Sequence, residues 1–251
     1  QATFFVLSNI INVIILVCGN IIFIVYYSLG IEGVLLSNLI ASLISFIITF
    51  KIIKEQNFSF SYFDINISKK LLKFSIPMLG TGILSMIIEL SDRSIISYLI
   101  SDTAQVGLYS ANYKIGMFML LLVMGFNMAW QPYFINEKNT ESLGIITEYS
   151  IYIGGLFWGL ISFIVPYIIT YKIGNFSIIN QLYWPGTKII PTIALGYFFH
   201  GIYILSVPGM YIKNKPMILM NIRFIGASLN IILNMILISK YGIIGAAIAT
   251  L

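Results

Sequence analysis

Long runs of isoleucine, leucine, phenylalanine and valine alternate with short polar breaks along the whole chain, without a two-residue rhythm of apolar and polar positions. A hydrophobic run of about 18 residues or more is long enough to cross the bilayer core as a helix. Eight such segments are expected, at roughly 4–28, 33–53, 71–100, 104–135, 144–170, 188–211, 215–239 and from 241 onward. The breaks hold turn formers, such as Ser28-Leu29-Gly30, Trp184-Pro185-Gly186 and Lys213-Asn214-Lys215-Pro216. A transmembrane barrel would show alternating segments of about ten residues instead. The pattern predicts an all-α, polytopic membrane protein.

Composition agrees. Of the 251 residues, 59% are hydrophobic and 9% charged, against about 25% charged in a soluble domain. Mean hydropathy is +0.94, and no stretch is left over for an aqueous domain. The net charge of +5 would suggest nucleic acid in a soluble protein. Here the basic residues fall in short connectors, so membrane topology accounts for them and no nucleic-acid partner is expected. Alternate connectors hold Lys51, Lys54, Lys69, Lys70, Lys73, Lys138, Lys213, Lys215 and Arg223, and the other set holds Lys172, Lys188 and Lys240. The richer set belongs on the cytoplasmic side, so the segment at 71–100 runs from inside to outside. Trp130, Tyr133, Tyr171 and Trp184 fall near the expected interfaces, where an aromatic belt forms. Cys18 is the sole cysteine, which rules out an intrachain disulfide and reads as a packing residue. No cofactor and no metal site is expected.

The longest connector contains Asn57-Phe58-Ser59-Phe60-Ser61-Tyr62-Phe63-Asp64, an amphipathic stretch suited to the membrane surface. An internal repeat places a boundary there. Gly30-Ile31-Glu32-Gly33, followed by Val34-Leu35-Leu36-Ser37-Asn38-Leu39, matches Gly242-Ile243-Ile244-Gly245 and Ala246-Ala247-Ile248-Ala249-Thr250-Leu251. Asn9-Ile10 falls on Asn221-Ile222 at the same offset. The offset spans six helices, so both halves would share one orientation, related by an axis along the membrane normal. The expected organisation is the last two helices of an N-terminal lobe at 1–53, a cytoplasmic linker at 54–70, and a C-terminal lobe at 71–251 that ends within its last helix. Four upstream helices are implied, and both ends of the chain read as cut.

Lys70-Leu71-Leu72-Lys73-Phe74-Ser75-Ile76-Pro77, Asp92-Arg93-Ser94-Ile95-Ile96-Ser97-Tyr98 and Val106-Gly107-Leu108-Tyr109-Ser110-Ala111-Asn112-Tyr113-Lys114 carry a family likeness, as does Ala129-Trp130-Gln131-Pro132-Tyr133-Phe134. The chain resembles the polysaccharide transporter family, the flippases for O-antigen and capsule repeat units within the multidrug/oligosaccharidyl-lipid/polysaccharide exporter superfamily. The resemblance implies a two-lobed transporter of twelve to fourteen helices around a central cavity, of which this chain would be the C-terminal part. It implies movement of undecaprenyl-diphosphate-linked oligosaccharide across the bacterial cytoplasmic membrane. The partners so implied are the lipid-linked oligosaccharide, the bilayer, and a polysaccharide polymerase or other assembly proteins. A multidrug or cation antiporter and a lipid II flippase of the same superfamily are the alternatives, and a membrane polymerase or ligase of glycan assembly is a more distant one.

The candidate site residues are Glu89, Asp92, Arg93, Tyr109, Tyr113 and Lys114. Glu89, Asp92 and Arg93 interrupt an otherwise apolar run, and each charge costs about 2.5–3.5 kcal/mol at a helix centre on insertion scales. Three explanations stand open. Glu89 and Arg93 have the spacing of a helical ion pair and Asp92 can answer Lys114 across the turn at Ser101-Asp102, so the cluster can be self-neutralising. Arg93 and Lys114 can line a substrate path and pair with phosphate, with Tyr109 and Tyr113 as stacking surfaces for sugar. Glu89 or Asp92 can couple a proton or ion. His200, the only histidine, reads as an interhelical hydrogen-bond partner or a proton relay.

Overall fold

The computed structural model describes residues 2–54, 64–137, 139–173 and 176–251. Helices dominate: α1 (Ala2–Asn20), α2 (Gly30–Lys54), α3 (Ile65–Ile100), α4 (Thr103–Gly116), α5 (Phe118–Asn136), α6 (Thr140–Thr170), α7 (Ile190–Ile212), α8 (Pro216–Tyr241) and α9 (Ile243–Thr250). A π-helical turn, Ile21–Tyr26, extends α1. Between α6 and α7 lie a two-residue antiparallel pair, β1 (Lys172–Ile173) with β2 (Phe176–Ser177), and a 3₁₀ segment at Gln181–Ile189. The fold is all-α and polytopic, and among the described residues seven stretches are long and apolar enough to span a bilayer. The eighth expected segment appears as α9, which has eight residues. The aromatic linker at 57–63 and Lys138 lie outside the described residues.

Two compact units divide the chain, Gln1–Ile65 and Asn66–Leu251. In the first, α1 and α2 form a hairpin. Asn12 Nδ2 donates to the Ala41 carbonyl at 3.0 Å and to Ser45 Oγ at 2.8 Å, which satisfies its amide inside an apolar pair. Cys18 is exposed on this hairpin rather than packed, a correction to the sequence reading: its neighbours on α2 meet Gly19 instead, where Ser37 lies against the helix.

In the second unit α7 packs against α4, α5, α6, α8 and α9. Ile190, Ile193 and Ala194 of α7 are buried to 1% exposure or less, and they join two apolar clusters. One holds Ile96, Tyr109, Tyr113, Ile238, Ala246 and Ala247, and the other Ile115, Met119, Val123, Ile161 and Ile169. The apolar run at 104–135 is two helices, not one. It breaks at Met117, beside Gly116, where a Cβ would come within 2.7 Å of Ile193 and 3.3 Å of the Ile190 carbonyl. Glycine lets the two backbones approach there, and α4 and α5 together make one membrane-spanning stretch, Thr103–Asn136. Asp102 starts α4 by accepting from the Ala104 N–H at 2.9 Å, and Asn139 starts α6 by accepting from Glu141 N–H at 2.9 Å.

The two repeat turns both place a glycine at positive φ. Gly30 and Gly242 have φ of +54° and +60°, a left-handed conformation that glycine adopts without strain. Three residues on, Gly33 and Gly245 each press on the backbone of the preceding helix, at Phe23 and Leu237 respectively. The matched glycines thus serve the same kind of close approach, although the first turn adds Ser28 at positive φ and follows a π-helical turn.

Helix α8 shows how lipid reverses the usual pattern. Phe224, Ile225, Leu229, Ile232 and Met235 are half exposed or more, while Asn230 and Asn234 are buried. Apolar side chains face outward because hydrocarbon is their solvent, and polar ones turn inward to find partners. Trp130, expected near an interface, is likewise buried against protein. It stacks on Phe126, and its Nε1 donates to the Leu205 carbonyl at 3.3 Å.

Candidate functional site

The charged interruption of α3 sits where that helix meets α4, α8 and α9. Asp92 is fully buried. Its Oδ2 accepts from the Tyr109 hydroxyl at 2.7 Å and from Thr250 Oγ1 at 2.7 Å, and its Oδ1 accepts from Asn234 Nδ2 at 2.8 Å. One carboxylate thereby binds α3 to α4, α9 and α8. The network continues: Asn234 Nδ2 also donates to Asn230 Oδ1 at 3.1 Å, Ser91 Oγ donates to the same oxygen at 2.9 Å, and Asn230 Nδ2 donates to the Ala249 carbonyl at 3.1 Å. The direct hydrogen-bond partners of the acid are all neutral donors.

The two proposed ion pairs are corrected by this arrangement. Among the described residues neither Glu89 with Arg93 nor Asp92 with Lys114 forms one. Arg93 Nη1 donates to the backbone carbonyl of Glu89 at 2.6 Å, and the guanidinium lies 4.7 Å from the centroid of the Tyr113 ring. That face-on seat is a cation–π contact. Arg93 follows Asp92 by about 100° around the helix, so one charge enters the buried network and the other leaves it. Glu89 and Arg93 are both half-buried.

Lys114 is exposed on α4, although Tyr113 beside it is 2% exposed. The structure therefore does not place Lys114 with Arg93: the tyrosine faces the arginine and the lysine points away. Tyr109 is also fully buried. Neither tyrosine presents a free face to sugar in this arrangement. Tyr109 serves Asp92, and the Tyr113 hydroxyl meets that of Tyr197 at 3.0 Å.

A second polar cluster escaped the sequence reading. Arg223, counted there among the connector cations, is the eighth residue of α8. Its Nη2 lies 3.2 Å from His200 Nδ1, and its Cζ lies 4.5 Å from the Tyr203 ring centroid. His200 stacks on Tyr203 with rings 19° apart, and the interhelical hydrogen bond expected of the histidine is present. Arg223 donates, so the ring proton of His200 belongs on Nε2. The signal available in the sequence was the spacing of Arg223 with Leu219, Ala227, Asn230, Asn234 and Ile238. Those five are buried, on one stripe of α8.

Apart from these clusters, an apolar cleft of about 600 Å³ runs between α5, α6 and α7, lined by residues such as Val123, Phe126, Gly154, Phe198 and Leu205. Its lining carries no charged side chain. Among the described residues no group of three or more His, Cys, Asp or Glu side chains comes together to hold a metal ion.

The sequence model of the family described as polysaccharide biosynthesis protein matches residues 2–138, more than half of the chain. The chain belongs to that family. In this polysaccharide biosynthesis protein the matched region carries Glu89, Asp92, Arg93, Tyr109, Tyr113 and Lys114, while Arg223, Asn230, Asn234 and Thr250 lie beyond it. Comparison with curated proteins and with solved structures gave no match.

Proposed function

We propose that this multi-pass membrane protein works as a flippase. Its cargo would be undecaprenyl-diphosphate-linked oligosaccharide repeat units, carried to the outer leaflet of the bacterial cytoplasmic membrane for polysaccharide biosynthesis. The observation that carries the reading is the state of Arg93. It is a cation inside a membrane-spanning helix, held by a carbonyl and a tyrosine face, with no carboxylate in ion-pair contact among the described residues. A guanidinium kept in that state retains donors for a phosphate, which it meets with charge-assisted hydrogen bonds. Lys114, exposed on the neighbouring helix, would add a point charge.

The test replaces Arg93 and Lys114 by glutamine in the full-length protein in cells. Surface glycan should fall to background while the protein level stays normal, and lipid-linked repeat units should build up on the cytoplasmic leaflet. Wild-type glycan output from both variants would overturn the reading. Unpolymerised repeat units accumulating on the outer leaflet would replace it with a polymerase or ligase.

A further inference from the structure

The two arginines of the second unit are held in the same way, at different depths. Helices α3 and α8 run parallel, because Met220 meets Gly80, Ile88 meets Gly226 and Ser91 meets Asn230 in the same order along both. That register puts Arg223 level with Leu84, nine residues before Arg93, or about 14 Å along the helix axis. Between them lie two sets of aromatic and polar contacts, both on α7. Arg93 covers Tyr113, Tyr113 meets Tyr197, and one turn along α7 His200 stacks on Tyr203, which Arg223 covers.

Arg223 is not a lipid-facing residue reaching for the surface. It shares the inward stripe of α8 with Leu219, Ala227, Asn230, Asn234 and Ile238, which are buried, while Phe224 and Ile225 beside it are about 60% exposed. Its Nε is buried without a hydrogen-bond partner. Its contacts, a neutral histidine nitrogen and a tyrosine face, leave the positive charge uncompensated. A half-buried, unpaired cation of this kind is expensive in a membrane, and the missing partner is an anion.

We propose that Arg223, seated between Tyr203 and His200, is a second anion-binding station for the diphosphate of the lipid-linked substrate, on the cytoplasmic side of Arg93. The assignment rests on the flippase reading and extends it: the headgroup is taken up at Arg223 and handed on to Arg93. The packed tyrosines keep the two guanidinium groups at a fixed separation.

The experiment measures binding of geranylgeranyl diphosphate, and of the uncharged geranylgeraniol, to the full-length protein in phosphatidylcholine nanodiscs. R223Q should weaken diphosphate binding by about tenfold or more, the scale of losing one charge-assisted contact, and leave the alcohol unchanged. R223K, which keeps the charge, should recover most of the loss. If wild-type protein does not prefer the diphosphate to the alcohol, the flippase reading fails together with the station. If R93Q loses binding and R223Q binds as wild type, the station alone fails. Should R223Q not fold, H200Q and Y203L leave the arginine in place but unseated. Each should weaken binding by about threefold or more, and wild-type affinity in both would overturn the proposal. Exchanging phosphatidylcholine for phosphatidylglycerol covers the other source of phosphate. Displacement of the probe from wild type but not from R223Q would make the site a seat for ordinary lipid headgroups, and would also overturn it.

Discussion

Asn234 Nδ2 donates to Asp92 Oδ1 at 2.8 Å, across 142 positions of sequence, and that bond is one of three that make a single carboxylate the meeting point of four helices. Interhelical hydrogen bonds in membranes average about 0.6 kcal/mol. D92A removes the acceptor for Tyr109, Asn234 and Thr250 together, so it should lower stability by about 2 kcal/mol. Y109F removes one donor and should cost about a third as much. Denaturant titration of the purified protein in detergent measures both. Equal stability of D92A and wild type would show that the network does not hold these helices together.

A glycine-mediated contact gives a separate test of packing. At Gly245 a Cβ would collide with the Leu237 carbonyl oxygen, which belongs to backbone and has no rotamer to change. At Gly159 nothing lies within 4 Å. G245A should therefore destabilise by about 1–3 kcal/mol, as overpacking does, whereas G159A should be neutral or slightly stabilising because alanine favours the helix. Thermal unfolding in detergent separates the two, and similar melting of both variants would mean that α8 and α9 do not meet this closely.

The membrane-spanning helices were legible because long apolar runs leave few other structures in a bilayer. The break at Met117 was not, since both sides are apolar and the close contact beside it, of Gly116 with Ile190 and Ile193, is distant in sequence. The same limit applies at the site. The spacing of Glu89 and Arg93 suggested an ion pair, but Arg93 finds a carbonyl and a ring instead. Asp92 finds donors on three other helices that no local pattern connects to it. Arg223 was readable in principle: a connector cation needs no place on a buried stripe, and its spacing with Asn230 and Asn234 supplied one.

The last prediction concerns which faces of α4 meet water. Lys114 is exposed while Tyr109 and Tyr113 are buried. An exposed lysine near the middle of a membrane-spanning stretch is costly against lipid and acceptable against a wet cavity. Single cysteines at positions 109 and 114, in a background carrying C18S to remove the native thiol, can be treated with a membrane-impermeant thiol reagent in intact and in permeabilised cells. K114C should label at least about tenfold faster than Y109C, because only a hydrated thiol forms the reactive thiolate. Equal, slow labelling of both would place Lys114 against lipid. It would then leave Arg93 as the sole cation of the original pair able to meet a phosphate.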